Sequence, residues 1–76
     1  MERIYEILQQ VRDDVNYAEL EDFLETEALD SIDIMTLVEL LEENFSIQIG
    51  GGDIIPENFR NVETIEALVR KYGGVQ

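Results

Sequence analysis

Apolar residues return every three or four positions in three stretches of the chain, a spacing that is typical of helices with one buried side. The stretches lie at residues 2–11, within residues 29–45 and at residues 61–72. Their apolar positions are Ile4, Ile7, Leu8 and Val11 in the first, Ile34, Leu37, Val38, Leu41 and Phe45 in the second, and Val62, Ile65, Leu68, Val69 and Tyr72 in the third. The pattern therefore predicts three main helices around one core.

The segment between the first two helices, residues 12–28, is predicted to be a long loop because its apolar residues follow no sustained period. They are Val15, Tyr17, Leu20, Phe23 and Leu24. We expect these side chains to pin the loop across the core, with a short helical turn near Tyr17–Phe23. A loop of this length lets the first two helices run antiparallel.

The segment after the second helix has two interpretations. Ile47 and Ile49 alternate with polar residues before three glycines, so residues 46–55 could form a hairpin and make the fold α+β. We rank this below a helical interpretation, because a lone hairpin is marginal in water and no other segment resembles a strand. Pro56 favours a short helix or turn over residues 53–59.

The predicted fold is all-α, a small four-helix bundle with three main helices, one short helix and a long loop after the first helix. We expect a single domain over residues 1–76, because a chain of this length supports only one small core. Asn61 can cap the last helix and Gly73 can stop it. Residues 73–76 are expected to fray.

The second helix also has an unusual exposed side. Ile32 falls roughly 150° from the centre of the buried stripe, with Glu39 and Glu43 on its side and Met35 on the flank. This mixture suggests a docking surface. Single exposed apolar residues are ordinary, however, and the spacing alone favours ordinary exposure over docking. At the start of the helix, Asp30 or Ser31 can act as the cap. The Glu or Gln of a full capping box is missing three residues later.

The charge of the chain excludes several classes of ligand. The sequence has 18 acidic and 5 basic residues, a net charge of -13. Such a surface repels nucleic acid and anionic membranes and attracts basic patches on proteins, so neither nucleic acid nor membrane is an expected partner. No apolar stretch approaches the length of a membrane span, and the first residues lack a signal-peptide core. We expect a cytoplasmic monomer that is neither membrane-spanning nor exported.

The residue types that are missing limit the possible chemistry. Cysteine and histidine are both absent, so the sequence contains no disulfide, no Ser-His-Asp arrangement and no evident base for Ser31. Asp30 and Asp33 lack the pattern of a calcium loop, and no metal site is predicted beyond weak surface binding. We expect that the chain is not an enzyme. An unactivated serine can still accept a group if another enzyme supplies the base.

The residues around Ser31 resemble the Asp-Ser-Leu motif region of acyl carrier proteins. The likeness rests on Ala28-Leu29-Asp30-Ser31-Ile32-Asp33, on the acidic segment at residues 22–25 before it, and on the Glu-Glu-Asn-Phe-Ser-Ile sequence at residues 42–47 after it. It extends over nearly the whole chain in length, helix order and charge. Two departures are Ile32, where Leu or Met is common, and Glu27-Ala28, where a glycine is usual and a stiffer approach to Ser31 is expected.

The resemblance implies that Ser31, next to the motif residue Asp30, carries a 4'-phosphopantetheine arm taken from coenzyme A. The thiol of the arm would carry acyl or aminoacyl groups as thioesters. The implied partners are a phosphopantetheinyl transferase and acyl- or aminoacyl-activating ligases or synthases with basic patches. The expected partner-binding residues are Ile32, Asp33, Met35, Glu39, Glu42 and Glu43.

Two questions stay open at this point. Strong acidity is typical of fatty-acid and polyketide carriers, whereas the Pro56-Glu57-Asn58-Phe59 segment is similar to D-alanyl and other aminoacyl carriers, so the cargo is not assigned. The competing hypothesis is an acidic helical interaction module in which Ser31 is only a helix cap. Transfer of the arm from coenzyme A would distinguish a carrier from an interaction module.

Overall fold

The computed structural model describes residues 2–26 and 28–74, and within them helices are the only regular secondary structure. The α-helices are α1 (Glu2–Val11), α2 (Ser31–Phe45) and α3 (Val62–Lys71). Three 3₁₀ turns, at Tyr17–Glu19, Gly51–Asp53 and Pro56–Phe59, lie in the connections. The all-α prediction is confirmed, with the Pro56–Phe59 turn as the short fourth helix. The hairpin alternative at residues 46–55 is wrong, because this segment contains no strand.

Helices α1 and α2 run antiparallel, as predicted, and an arginine near each end of α1 joins them. At the start of α1, the Arg3 guanidinium donates a hydrogen bond to the carbonyl of Asn44 near the end of α2 (2.9 Å). At the end of α1, Arg12 Nη1 lies 3.4 Å from the carbonyl oxygen of Ala28, just before α2. The two contacts fix the register of the helices. None of the helices in the described residues is long and apolar enough to cross a membrane.

The long loop after α1 crosses the core through Phe23, as the sequence predicted. Phe23 is fully buried, and its ring meets that of Tyr17 edge to face, with the centroids 5.3 Å apart. The Phe23 carbonyl accepts hydrogen bonds from the N–H groups of Ala28 (2.8 Å) and Leu29 (3.2 Å), and the Phe23 N–H donates to the Arg60 carbonyl (2.6 Å). Phe23 therefore joins the core, the residues before α2 and the residues before α3.

The turn that follows Phe23 is held by the carboxylate of Asp22. One carboxylate oxygen accepts hydrogen bonds from the N–H groups of Leu24 (2.9 Å) and Glu25 (3.0 Å). The other pairs with Arg60 at 2.8 Å. The hydrogen bond from the Glu25 N–H is the largest cause that lowers the pKa of Asp22, with smaller contributions from Leu24 and Arg60.

This carboxylate predicts an acid-sensitive contribution to stability. Because the pKa of Asp22 is lower in the folded chain than its ordinary value of 3.8, its ionised form stabilises the fold above that value, and the contribution is lost as the pH falls through the folded pKa. We expect Asp22→Asn to lower the melting temperature near neutral pH, and the difference from the wild type to shrink as the pH falls below 3.8. Glu63→Gln, on the exposed side of α3, removes the same charge and is the control. Equal effects of both variants at every pH would contradict the prediction.

The third helix begins and ends as the sequence predicted. Asn61 is its N-cap, and its side chain accepts a hydrogen bond from the Thr64 N–H (2.9 Å). After the helix, Gly73 has a positive φ of 85°, which glycine adopts without strain. The N–H groups of Gly73 and Gly74 donate to the carbonyls of Arg70 and Val69. The remainder of the predicted frayed tail, residues 75–76, lies outside the described residues, so fraying stays a prediction.

Candidate functional site

Ser31 begins α2 on the surface of the bundle, and the neighbouring aspartates, rather than Ser31, cap the helix. Asp30 is the N-cap, and its carboxylate accepts a hydrogen bond from the Asp33 N–H (2.8 Å). The Asp33 carboxylate accepts in return from the Asp30 N–H (3.2 Å). The prediction of an incomplete capping box is wrong, because the aspartate side chain at position 33 also reaches back to the N–H of the cap residue. The Ser31 side chain is exposed, and within the described residues its hydroxyl has no hydrogen bond.

The residues just before Ser31 are held in place by hydrogen bonds to α1 and to the long loop. Ala28 is buried, its N–H donates to Phe23, and its carbonyl accepts from Arg12. Arg12 Nη1 also lies 3.8 Å from the Asp33 carboxylate, so the same guanidinium reaches both sides of the cap. Glu27, which together with Ala28 is expected to stiffen the chain before Ser31, lies outside the described residues.

An open depression of about 540 Å³ lies beside Ser31. The long loop, the first turn of α2 and the Pro56–Phe59 turn each contribute to its lining, which consists of Leu24, Leu29, Asp30, Ser31, Ile34 and Pro56. Ile34 was assigned to the buried stripe, but it is only half-buried and lines this space. Sequence reasoning missed the depression because it forms only where three segments with no common period meet.

Four of the predicted partner-binding residues lie on the exposed side of α2. Ile32 is 74% exposed and Met35 is 66% exposed, which is unusual for large apolar side chains and confirms the orientation read from the helical wheel. Glu39 and Glu43 are also exposed. Their role in binding a partner stays a prediction.

The other two predicted partner-binding residues have internal contacts. The Asp33 carboxylate belongs to the helix cap, and the Glu42 carboxylate accepts a hydrogen bond from the Ile49 N–H at 2.8 Å. The Glu42 contact holds the chain as it leaves α2. This contact could not be predicted from the sequence, because a hydrogen bond between a helix side chain and a loop N–H seven residues later follows no helical spacing.

The five basic residues of the chain all have acceptors within it, although the side chains of Arg70 and Lys71 remain largely exposed. Arg3 donates to a carbonyl of α2. The other four pair with carboxylates: Arg12 with Asp14, Arg60 with Asp22, Arg70 with Glu66 and Lys71 with Asp53. Within the described residues, no group of three or more acidic side chains could hold a metal ion.

The geometry around Ser31 suits a serine that receives a group and does not suit one that attacks a substrate unaided. The chain has no histidine, and within the described residues no side chain accepts a hydrogen bond from the Ser31 hydroxyl; the adjacent Asp30 and Asp33 carboxylates accept from backbone N–H groups of the cap. The N-terminus of α2 favours a phosphate at this position, and the depression leaves room beside it. A second enzyme would have to supply the base.

Comparison with known proteins agrees with this geometry. The family model described as a phosphopantetheine attachment site matches residues 2–70, a range that includes α1, the long loop, α2 and most of α3. Searches of curated proteins and of solved structures found no significant match.

Proposed function

Because the chain belongs to the phosphopantetheine attachment-site family, we propose that Ser31 is the residue to which its 4'-phosphopantetheine arm is attached. The observation that carries this proposal is the exposed hydroxyl at the start of α2, which the helix cap leaves unused. The sequence has one other serine, Ser46, and that residue ends α2 in a left-handed conformation. Ser31 alone lies beside the open depression.

The residues at this position fit the arm. The first N–H groups of α2 favour the negative charge of a phosphodiester on Ser31. The apolar side chains of Leu24, Leu29 and Ile34 border the space next to it. When attached, the arm supplies a thiol that holds cargo as a thioester, and the chain has no cysteine that could compete with it. The protein itself is a carrier and not an enzyme.

We further propose that the cargo is an acyl or aminoacyl group that is passed between partner enzymes. Carriers of this family interact with phosphopantetheinyl transferases and with synthases or ligases. A net charge of -13 supports rapid encounters with basic surfaces, and small contact areas allow the rapid release that a shuttle requires. We propose that the chain is cytoplasmic.

The proposed contact surface on the carrier consists of Ile32, Met35, Glu39 and Glu43. Ile32 and Met35 provide an apolar centre close to Ser31, and the two glutamates provide charge at its edge. Interfaces commonly combine an apolar centre with a polar rim. Asp33 and Glu42 would contribute negative potential, while their carboxylates remain bound to the fold.

Charge reversal on this surface predicts slower recognition. We expect Glu39→Lys with Glu43→Lys to raise the KM of the transferase for the carrier about tenfold at low salt and to leave kcat nearly unchanged, because charges at a rim mainly set the association rate. The control is Glu2→Lys with Glu6→Lys, two exposed positions with the same spacing on α1. An equal rise in KM for both pairs would mean that only the overall charge matters.

The assignment of Ser31 is tested by incubating the purified chain with coenzyme A and a phosphopantetheinyl transferase. We expect the intact mass to increase by one arm, and fragmentation to locate the addition on the peptide that contains Ser31. An unchanged mass would favour the acidic interaction module. An addition on another residue would overturn the assignment of Ser31 and leave the carrier function in place.

A further inference from the structure

The connection between α2 and α3 is tied to the end of α3 by a small polar cluster. The Tyr72 hydroxyl accepts a hydrogen bond from the Gly50 N–H (3.1 Å) and donates one to the Asp53 carboxylate. Lys71 Nζ contacts both oxygens of that carboxylate, at 2.9 and 3.0 Å. We call Gly50, Asp53, Lys71 and Tyr72 the latch.

The residues that follow Asp53 reach the depression at Ser31. Residues 54–56, which we call the flap, lead from Asp53 to Pro56, and Pro56 lines that depression. Ile54 and Ile55 are each 38% exposed, so the flap is poorly buried. The next fixed point is Phe59, which is fully buried. Between the latch and Phe59, Asn58 donates hydrogen bonds to the carbonyls of Asp53 (2.7 Å) and Ile55 (3.0 Å), so the flap and the following turn form one unit that is attached to the bundle at the latch and at Phe59.

Polar contacts, and not apolar packing, hold the latch end of the flap. The turn Gly51–Asp53 has no buried residue, and the space around the Cα atoms of Gly51 and Gly52 is open. A further depression of about 230 Å³, lined in part by Asp53, Asn58 and Lys71, lies next to it. The turn therefore has room to move.

Tyr72 is the central member of the latch. The Asp53 N–H donates a hydrogen bond to the Gly50 carbonyl (2.9 Å) and closes the turn. The Tyr72 hydroxyl contacts both of these residues and so ties the closed turn to the end of α3. The Lys71 side chain is 62% exposed, and an ion pair with such an exposed partner contributes little. Removing the tyrosine hydroxyl should therefore release the turn, although Lys71 remains.

We infer that Tyr72 is a positioning residue for the arm on Ser31, which acts through Gly50 and Asp53 to hold the flap as one wall of the depression. With the latch closed, Pro56 faces the first turn of α2 across this space, and the part of the arm next to Ser31 has a wall on each side. With the latch open, that wall moves away. The inference rests on the proposed attachment at Ser31.

The test compares the full chain with and without the arm, as wild type and as Tyr72→Phe. Tyr5→Phe is the control, because it makes the same chemical change on α1, where the hydroxyl has no hydrogen bond within the described residues. The first measurement is amide hydrogen exchange at Gly50. We expect it to become about 3- to 10-fold faster in Tyr72→Phe, which is the effect of one lost hydrogen bond. No change is expected in Tyr5→Phe.

The second measurement separates positioning from a general structural role. Attachment of the arm should shift the methyl resonances of Leu24, Ile34 and Ile55 in the wild type and in Tyr5→Phe. We expect these arm-dependent shifts to fall at least twofold in Tyr72→Phe, whose helices remain folded. Asp53→Asn, which keeps an acceptor for the hydroxyl but loses the charge, should give a smaller reduction.

The outcomes are distinguishable. If the wild-type chain never gains the arm at Ser31, the proposed function fails and the positioning role fails with it. If the arm attaches and its shifts are the same in Tyr72→Phe and in the wild type, this inference alone is overturned. If Tyr72→Phe does not fold, Asp53→Asn decides: unchanged arm-dependent shifts together with unchanged exchange at Gly50 overturn the inference, and reduced shifts support it.

Discussion

Replacing Ser31 with alanine is expected to abolish attachment of the arm completely. The substitution removes the oxygen that forms the phosphodiester, and the surrounding residues offer no second hydroxyl in the same position. The fold should be almost unaffected, because Ser31 is exposed and Asp30 and Asp33 form the helix cap. We expect the free energy of unfolding to change by less than about 0.5 kcal/mol. Intact mass and a urea titration measure the two effects.

The matched control for Ser31→Ala is Ser46→Gly, a change at the only other serine. Ser46 has a φ of 54°, a left-handed conformation that glycine adopts more easily than serine. This variant should be at least as stable as the wild type and should accept the arm normally. A Ser31→Ala chain that still gained the mass of one arm would show that Ser31 is not the attachment residue.

Replacing Phe23 with alanine is expected to cause the largest loss of stability. Phe23 is fully buried and packs edge to face on Tyr17, and deletion of a buried phenylalanine ring costs about 3–5 kcal/mol. A chain of this length has a total stability of roughly 4–11 kcal/mol. We therefore expect a substantial unfolded fraction at 37 °C, measured by circular dichroism and urea unfolding.

The control for this variant is Phe23→Leu, which keeps an apolar side chain in the core and should lose less than Phe23→Ala, since part of the packing is retained. Amide hydrogen exchange at the residues before Ser31 provides a second measurement. Ala28 and Leu29 both donate to the Phe23 carbonyl, so slow exchange of their amide protons should be lost in Phe23→Ala. A loss below about 1 kcal/mol for Phe23→Ala would contradict the role of Phe23 in joining the loop to the core.

The helices could be predicted from the sequence because their information is local. The apolar spacing gave α1, α2 and α3, and Asn61 was correctly identified as a cap. The loop was also predicted to lie across the core through residues that include Phe23, but the hydrogen bond from the Phe23 N–H to the Arg60 carbonyl was not, because it joins residues far apart along the chain. Contacts at that separation leave no period in the sequence.

Some features of the candidate site could also be predicted from the sequence, and others could not. The exposure of Ile32 and Met35 follows from their angle on one helix, and the sequence predicted it. The internal contacts of Asp33 and Glu42 were missed, because a carboxylate on an exposed side of a helix has the same pattern whether it faces a partner or caps a nearby N–H. The depression beside Ser31 was missed because Pro56 reaches it only through the folding of the whole connection.

The internal pairing of all five basic residues has a consequence for crowded solutions. A protein with free lysines or arginines can attract the acidic side of another copy and form transient clusters. Here each basic side chain already has an acceptor within its own chain, and the net charge of -13 makes two copies repel each other on average. Under the proposed carrier function, this repulsion would let many copies visit one partner enzyme in turn without blocking one another.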